Sequence, residues 1–463
     1  MLAVLLMAGL SFAVSQTMVA PALPAIQHQL GASPSAAAWV MTGFLLAASV
    51  STPIMGKLGD VYGKGRVLSS LLAAFAAGAV LCALAGSIEV LIAGRLVQGL
   101  AGGVFPLAFG IIRDTFPRER VALGIGLISA MFGIGGGFAL PLAGVIVDNL
   151  DLAWLFWPGA FLAGATAVAA IRVIPPSPTA GRARIDWAGA AILSIGLSAI
   201  LLAISRANDW GWGSARVIGL IVLGIAVLVA WVPFEMRRPE PLVDIGVLRR
   251  RAVLFTNITA LLVGFAMFAS FLLVPMFAQT PGRAAGYGFG MSVTGAGLLM
   301  VPSSIAMLFA GPLAGAMAGR VGSRVPLVIG TLASSSAFLL LAIAHGDELD
   351  FIIAGALLGV GIGFSFSSMA NLIVEAVDQR EVGIATGINT IMRTIGGALG
   401  SQVAIAVLTA HTIGRTAIPA ESGYTEAFIL SACFSVIAAA AALSIPAARL
   451  ARARRPEVEP ARA

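Results

Sequence analysis

"LIAGRLVQGLAGG", residues 91–103, places a guanidinium, Arg95, and an amide, Gln98, inside a run that is otherwise Leu, Ile, Val, Ala and Gly. Its frame returns 261 residues later as "IIAGALLGVGIGF", residues 352–364, with Ala356 where the first copy has Arg95 and Gly359 where it has Gln98. The same shift lays "GLISAMFGIGG" from 126 over "GINTIMRTIGG" from 387, and a shift of 259 lays "GKLGDVYG" from 56 over "GAMAGRVG" from 315. Three matches at nearly one spacing define an internal repeat.

Composition says what medium the repeat occupies. Of 463 residues, 59% are hydrophobic and 11% charged, against about 25% charged in a soluble domain, and the mean hydropathy is +0.99. So little charge cannot cover a water-facing surface. Apolar stretches of about 20 residues, each enough to cross some 30 Å of hydrocarbon as a helix, recur from end to end. They are predicted at 2–23, 36–56, 67–86, 88–112, 121–147, 154–174, 186–205, 217–235, 253–277, 288–318, 325–344, 349–374, 384–410 and 426–446. The expected fold is an all-α integral membrane protein of fourteen spans. It comprises an N-terminal six-helix half (1–174), a linker and extra helix pair (175–252, with "PPSPTAGRAR" before the pair), a C-terminal six-helix half (253–446) and a tail (447–463).

The net charge of +7 sits in short loops and not on one face, which argues against nucleic acid. With the N-terminus inside, 22 of the 28 Lys and Arg fall in cytoplasmic segments and the tail. Four, Arg206, Arg216, Arg283 and Arg415, fall outside, and Arg95 and Arg393 remain within spans. The positive-inside rule then predicts both termini in the cytoplasm. The first 20 residues have a signal peptide's length but no basic start or cleavage site, so they read as the first span. Cys82 and Cys433 lie in separate spans and read as inert apolar thiols; no metal site and no cofactor are expected.

An intramembrane arginine costs about 2.5 to 3.5 kcal/mol on insertion scales, so something must offset it. Arg95 could snorkel to the outer headgroups, about 10 Å away at 1.5 Å per residue. Alternatively Arg95 and Gln98, three apart on one helix face, look into a hydrated cavity where water, a carbonyl or a substrate anion meets the guanidinium. "GKLGDVYGKGR", 56–66, is a tight loop in which Gly56 and Gly63 permit a turn and close helix approach. Asp60 there can cap the next segment or pair with a neighbouring cation, and Lys64 and Arg66 belong to the same candidate gating loop. "FGIGGGFALPLAG", 132–144, holds Gly133, Gly135, Gly136, Gly137, Pro141 and Gly144, a small-residue surface for backbone contact with a proline bend. In "FSFSSMANL", 364–372, Ser365, Ser368 and Asn371 share one face beside Phe364, Phe366 and Met369. With Ser15, Gln16, Met131 and Asn389, these are the candidates for lining a substrate cavity, and Arg393, the other arginine within a span, joins Arg95 and Gln98 as a candidate for the cavity and proton coupling.

Six-span halves facing each other are the plan of secondary transporters, with the site near the midplane between halves. The 56–66 loop resembles the loop signature of the major facilitator superfamily, and "LIAGRLVQG" resembles its fourth-span motif. "SQTMVAPALP" of span 1, the "GW" loop between spans 7 and 8 and "PLVDIGVLRRR" resemble the fourteen-span drug/proton antiporter family. The resemblance implies that Asp60 belongs to a gating latch, that Arg95 serves proton coupling and the substrate cavity, and that the glycine-rich span 5 is the antiporter-like motif. Two departures stand out: Ser15 occupies the place of the usual span 1 acid, and Leu140 replaces the glycine before Pro141. The expected function is a proton-driven exporter of amphipathic small molecules in a bacterial inner membrane, acting as a monomer with lipid, substrate and protons as its partners. An uptake symporter or an exporter of one anionic or lipid-like metabolite is the alternative. A membrane-embedded enzyme would need a polar catalytic cluster inside the spans, and no Walker-type phosphate loop accompanies the glycine runs.

Overall fold

The computed structural model describes residues 1–19, 22–176, 186–239, 241–378, 381–413 and 418–446. Arg182, Arg184, Arg380, Arg415 and the tail at 447–463, counted above among the loop and tail cations, lie outside the described residues. The N-terminal half comprises α1 (Leu2–Thr17), α2 (Leu23–Leu30), α3 (Pro34–Tyr62), α4 (Lys64–Ala83), α5 (Ile88–Gly99), α6 (Val104–Thr115), α7 (Arg118–Asn149) and α8 (Trp157–Val173). The inserted region holds α9 (Trp187–Ser205), α10 (Ala207–Trp210), α11 (Ala215–Met236) and α12 (Ile245–Arg249). The C-terminal half follows with α13 (Arg251–Gln279), α14 (Gly282–Ala285), α15 (Val293–Leu299), α16 (Val301–Val321), α17 (Arg324–Ile343), α18 (Glu348–Ala376), α19 (Val382–Ala410) and α20 (Glu421–Leu443). Among the described residues thirteen helical segments are long and apolar enough to cross a membrane, and α1 is a shorter apolar helix.

The first span differs from expectation. The helix stops at Thr17 instead of running to 23, and a separate helix begins at Leu23. Pro21 and Pro24 explain the break, since each lacks a donor for a continuing helix; Pro24 sits in the first turn of α2, where that donor is not needed. Sixteen residues cover about 24 Å at 1.5 Å per residue. The fourth span is also interrupted: a 3-10 turn, Leu100–Gly103, separates α5 from α6. There α3 comes so close that a Cβ on Gly102 would stand 2.6 Å from Thr52 Oγ1. The tenth span is likewise two pieces, α15 and α16, joined at Met300, with Pro302 in the first turn of the second. Several helix starts are held by side chains that accept a backbone N–H, among them Ser33, Ser87, Asp186, Ser214 and Asp244.

The halves meet along two seams. On one, α7 packs against α16 and α18; on the other, α3 packs against α19, and α9 of the inserted pair lies on both of them. The first seam closes backbone to backbone, with Gly126 against Gly311. On the second, a Cβ on Gly56 would stand 2.6 Å from the Gly383 carbonyl oxygen. α11 packs on α9 and is otherwise the most lipid-exposed of the spans.

Candidate functional site

Arg95 is neither at the headgroups nor in an aqueous gap. It is fully buried inside the N-terminal half. Its Nε donates to the Val40 carbonyl at 3.0 Å, and one terminal nitrogen donates to the Ser15 carbonyl at 3.1 Å and to Gln98 Oε1 at 2.9 Å. The guanidinium carbon lies 4.1 Å from the centre of the Phe44 ring. Ser15 is in the last turn of α1, where carbonyls have no helical partner. Arg95 therefore ties the end of α1 and the wall of α3 to α5, and the expected cavity-facing orientation of Arg95 and Gln98 is corrected to a bundle-internal one. The Ser15 hydroxyl belongs to the same correction, because it faces Gly159 of α8.

The expected loop at 56–66 is instead the end of α3, Gly63 and the start of α4, and it forms a charged knot at the end of the bundle that carries most of the basic residues. Gly63 turns the chain between α3 and α4 with φ of +99°, a conformation that favours glycine. Lys64 Nζ lies 3.3 Å from Asp60 Oδ1 and 3.0 Å from Asp114 Oδ2 of α6, and all three side chains are buried. Two carboxylates thus share one ammonium. The Asp60 carboxylate also stands beside Gly383, in the first turn of α19, where the helix presents partial positive charge. Asp114 and Lys64 have counterparts in the second half at the repeat shifts: Glu375 Oε1 accepts from Ser323 Oγ at 2.9 Å. Nearby, Arg113 donates across the halves to the Val377 carbonyl at 2.8 Å, and Lys57 donates to the Pro241 carbonyl at 3.1 Å. Arg66 is exposed and lines a groove with Arg172. Together these contacts knit the N-terminal half internally and tie it to the second half and the insertion at the basic end of the molecule.

The polar residues that do converge between the halves surround Arg393. Two adjoining gaps, of about 10 and 20 Å³, each have room for about one water. Arg393, Phe132 and Thr390 line both; Asn389, Ser129, Phe105 and Phe366 line the first, and Gln16, Ser49 and Thr52 the second. Pairs of wall residues are equivalent in the repeat at the shift of 261: Phe105 with Phe366, Phe109 with Ala370, Ser129 with Thr390, and Phe132 with Arg393. Residues from equivalent positions meet only near the axis that relates the halves, so this is the centre of the molecule. Asn389 is oriented by a 3.0 Å bond from its Nδ2 to Asn257 Oδ1.

Other candidates are placed differently. Ser365 and Ser368 are fully buried in helix contacts and Phe364 packs against Ala310 and Ala314. Asn371 donates to the Ser367 carbonyl at 2.9 Å and faces Ala122. Met131 packs on Gly9 of α1. The face of α18 that reaches the gap is instead Phe366 and Ala370. In span 5, Gly133 meets Met307, Gly135 meets Ala13, Gly136 meets Phe271 and Gly144 meets Thr294, so three of the four face the other half. Pro141 is half-buried and, like Gly137, lies within the continuous helix α7. Sequence reasoning missed Asp114, Phe105, Phe132, Ser129, Thr386 and Thr390; the repeat shift itself was the signal for most of them.

Two halves of six membrane helices closing on a central polar gap define a class of membrane transporter, and the sequence agrees. It matches the Major Facilitator Superfamily over residues 5–400 and again over 281–463, and the chain belongs to that family. It is similar to "Multidrug transporter protein MdtP" of Bacillus subtilis (strain 168), at 28% identity over 86% of this chain and 73% of that one. It is similar to the "Tetracenomycin C resistance and export protein" of Streptomyces glaucescens, at 29% identity over 87% and 74%. The fold matches the crystal structure of the human organic anion transporter MFSD10 (TETRAN) with a TM-score of 0.65 and 16% identity, over 95% of this chain and 98% of that one.

Proposed function

We propose that the chain is a proton-driven exporter of amphipathic small molecules, working by alternating access in a bacterial cytoplasmic membrane. Its termini and basic end face the cytoplasm, as the loop charges favour. The observation that carries this reading is the small aromatic and polar gap around Arg393 on the axis between the halves, beside a gate of glycine contacts and buried ion pairs. A gap of that size admits a substrate only when the halves part, so access and closure are coupled by construction. Relatives named for multidrug transport and antibiotic export support the direction and substrate type. Arg393, Gln16 and Asn389 are the substrate-facing polar groups in this reading, Arg95 and Gln98 brace the cavity wall, and Asp60, Lys64 and Asp114 form the latch. Protonation of either latch carboxylate would weaken its hold on Lys64 and favour opening. Proteoliposomes with an imposed proton gradient should export a hydrophobic dye against its own gradient, and a protonophore should stop it. Gradient-driven movement in the inward direction would instead identify an uptake symporter.

A further inference from the structure

The two intramembrane arginines have opposite surroundings. Arg95 makes three hydrogen bonds to oxygen acceptors through Nε and one terminal nitrogen, and its other terminal nitrogen is buried without a partner among the described residues. Arg393 is 8% exposed and, among the described residues, has no carboxylate within ion-pair distance and no hydrogen-bond acceptor. What it touches is aromatic: its guanidinium carbon lies 4.8 Å from the Phe132 ring centre and 4.2 Å from that of Phe366. Those rings are themselves only 5.4 Å apart and meet edge to face, so both lie on one side of the guanidinium. Phe105 continues the aromatic wall, 5.2 Å from Phe132. Of the four positions that the repeat brings together here, 105, 132, 366 and 393, three are Phe and one is Arg. The quartet is an apolar surface with a single fixed cation.

We propose that this quartet is the recognition site for an aromatic monoanion, a flat hydrophobic frame bearing one planar oxyanion such as a carboxylate or phenolate. The proposal rests on the transport reading above and narrows its substrate class. The planar fork of Arg393 can hold two oxygens of one oxyanion side by side. The rings of Phe132, Phe366 and Phe105 stack on the frame. Thr390, Asn389 and Ser129 stand around the same gap to serve further hydroxyl or carbonyl groups. Among the described residues the aromatic rings are the protein contacts that Arg393 makes inside the gap, cation–π contact is a weak partner for a guanidinium, and an incoming oxyanion supplies a stronger one. A cationic substrate meets repulsion, because no Asp or Glu lines either gap among the described residues.

The test uses the purified full chain in nanodiscs and three probes with one frame: 2-naphthoate, naphthalene-2-methanol and 2-naphthylmethylammonium, compared by equilibrium dialysis. We expect naphthoate to bind at least tenfold more tightly than the neutral alcohol, and the ammonium probe more weakly than either. Arg393→Gln should bring naphthoate down to the affinity of the alcohol while changing the alcohol itself less than twofold. Equal binding of naphthoate and alcohol by the unmodified protein, tightest binding of the ammonium, or no binding of any probe at millimolar concentration would overturn the proposal; should Arg393→Gln fail to fold, this order decides alone. Naphthoate flux in proteoliposomes separates the two levels. The predicted binding order without gradient-driven flux refutes proton-driven export and leaves the site standing, whereas flux without anion preference refutes the site alone.

Discussion

Replacing Gly56 with alanine should unlatch the basic end of the molecule. A Cβ there would stand 2.6 Å from the Gly383 carbonyl oxygen, against ordinary contact at 3.4 Å or more, so the two helices must separate by about 0.8 Å. The obstructing atom is backbone on both sides, and no side chain can rotate out of the way. Overpacking of this kind costs about 1 to 3 kcal/mol, and only the closed arrangement bears it. As a coupling energy that is about a five- to 150-fold shift in the balance between closed and open. The assay is the labelling rate of Thr386→Cys, which lines the central gap, by a membrane-impermeant maleimide applied to the basic face, with Cys82 and Cys433 replaced. Gly319→Ala is the control, since nothing lies within 4 Å of a Cβ at that position. The labelling rate should rise in the Gly56 variant and not in the Gly319 variant. An unchanged rate for Gly56→Ala would refute the idea that α3 and α19 form the closing contact.

Further outcomes follow from the buried polar groups. Arg95→Met, which fills space without hydrogen bonds, leaves the Ser15 carbonyl and Gln98 without their donor and should cost about 2 kcal/mol of stability; an unchanged melting temperature in detergent would contradict a bracing role. Lys64→Met strands two buried carboxylates and should cost about 3 to 5 kcal/mol, most of it recovered on adding Asp60→Asn and Asp114→Asn. A melting curve insensitive to those rescuing changes would show that the charges are not coupled. Asn208→Ala removes bonds to the backbone and side-chain oxygens of Gln402 and should speed hydrogen exchange at the start of α10 while leaving α3 unaltered.

The architecture was legible because it depends on coarse quantities: apolar length, loop charge and a repeat spacing. The site was less so, because the environment of a side chain depends on which helix faces meet. Arg95 and Gln98 correctly announced something unusual, but only packing shows that the acceptors are the carbonyls of Ser15 and Val40. Ser365, Ser368 and Asn371 suggested a lining face by polarity, yet hydroxyls are readily buried against neighbouring helices, and the lining role fell to Phe366 and Ala370. Phe132 looks like ordinary apolar filling until the shift of 261 pairs it with Arg393. Asp114, beside Arg113 at a span end, gave no sign of its partner Lys64, which is 50 residues earlier.

The inserted pair makes the two borders of the molecule unlike. Along α7 and α16 the halves touch each other directly, through glycine, and among the described residues no helix of the insertion packs over the contact. Along α3 and α19 a helix of the insertion lies over the joint, fastened to Gln402 at one end by Asn208, while the Pro241 carbonyl beyond its partner helix is held at the other by Lys57. One fastening is on the second half and the other on the first. Any relative tilt of the halves therefore pivots on one border and slides or strains a strap on the other. Since α11 presents the outer face of that strap away from the protein, lateral pressure from acyl chains on this side would reach α3 and α19 through the insertion, as a thumb on a spring and not as a bath around a shell.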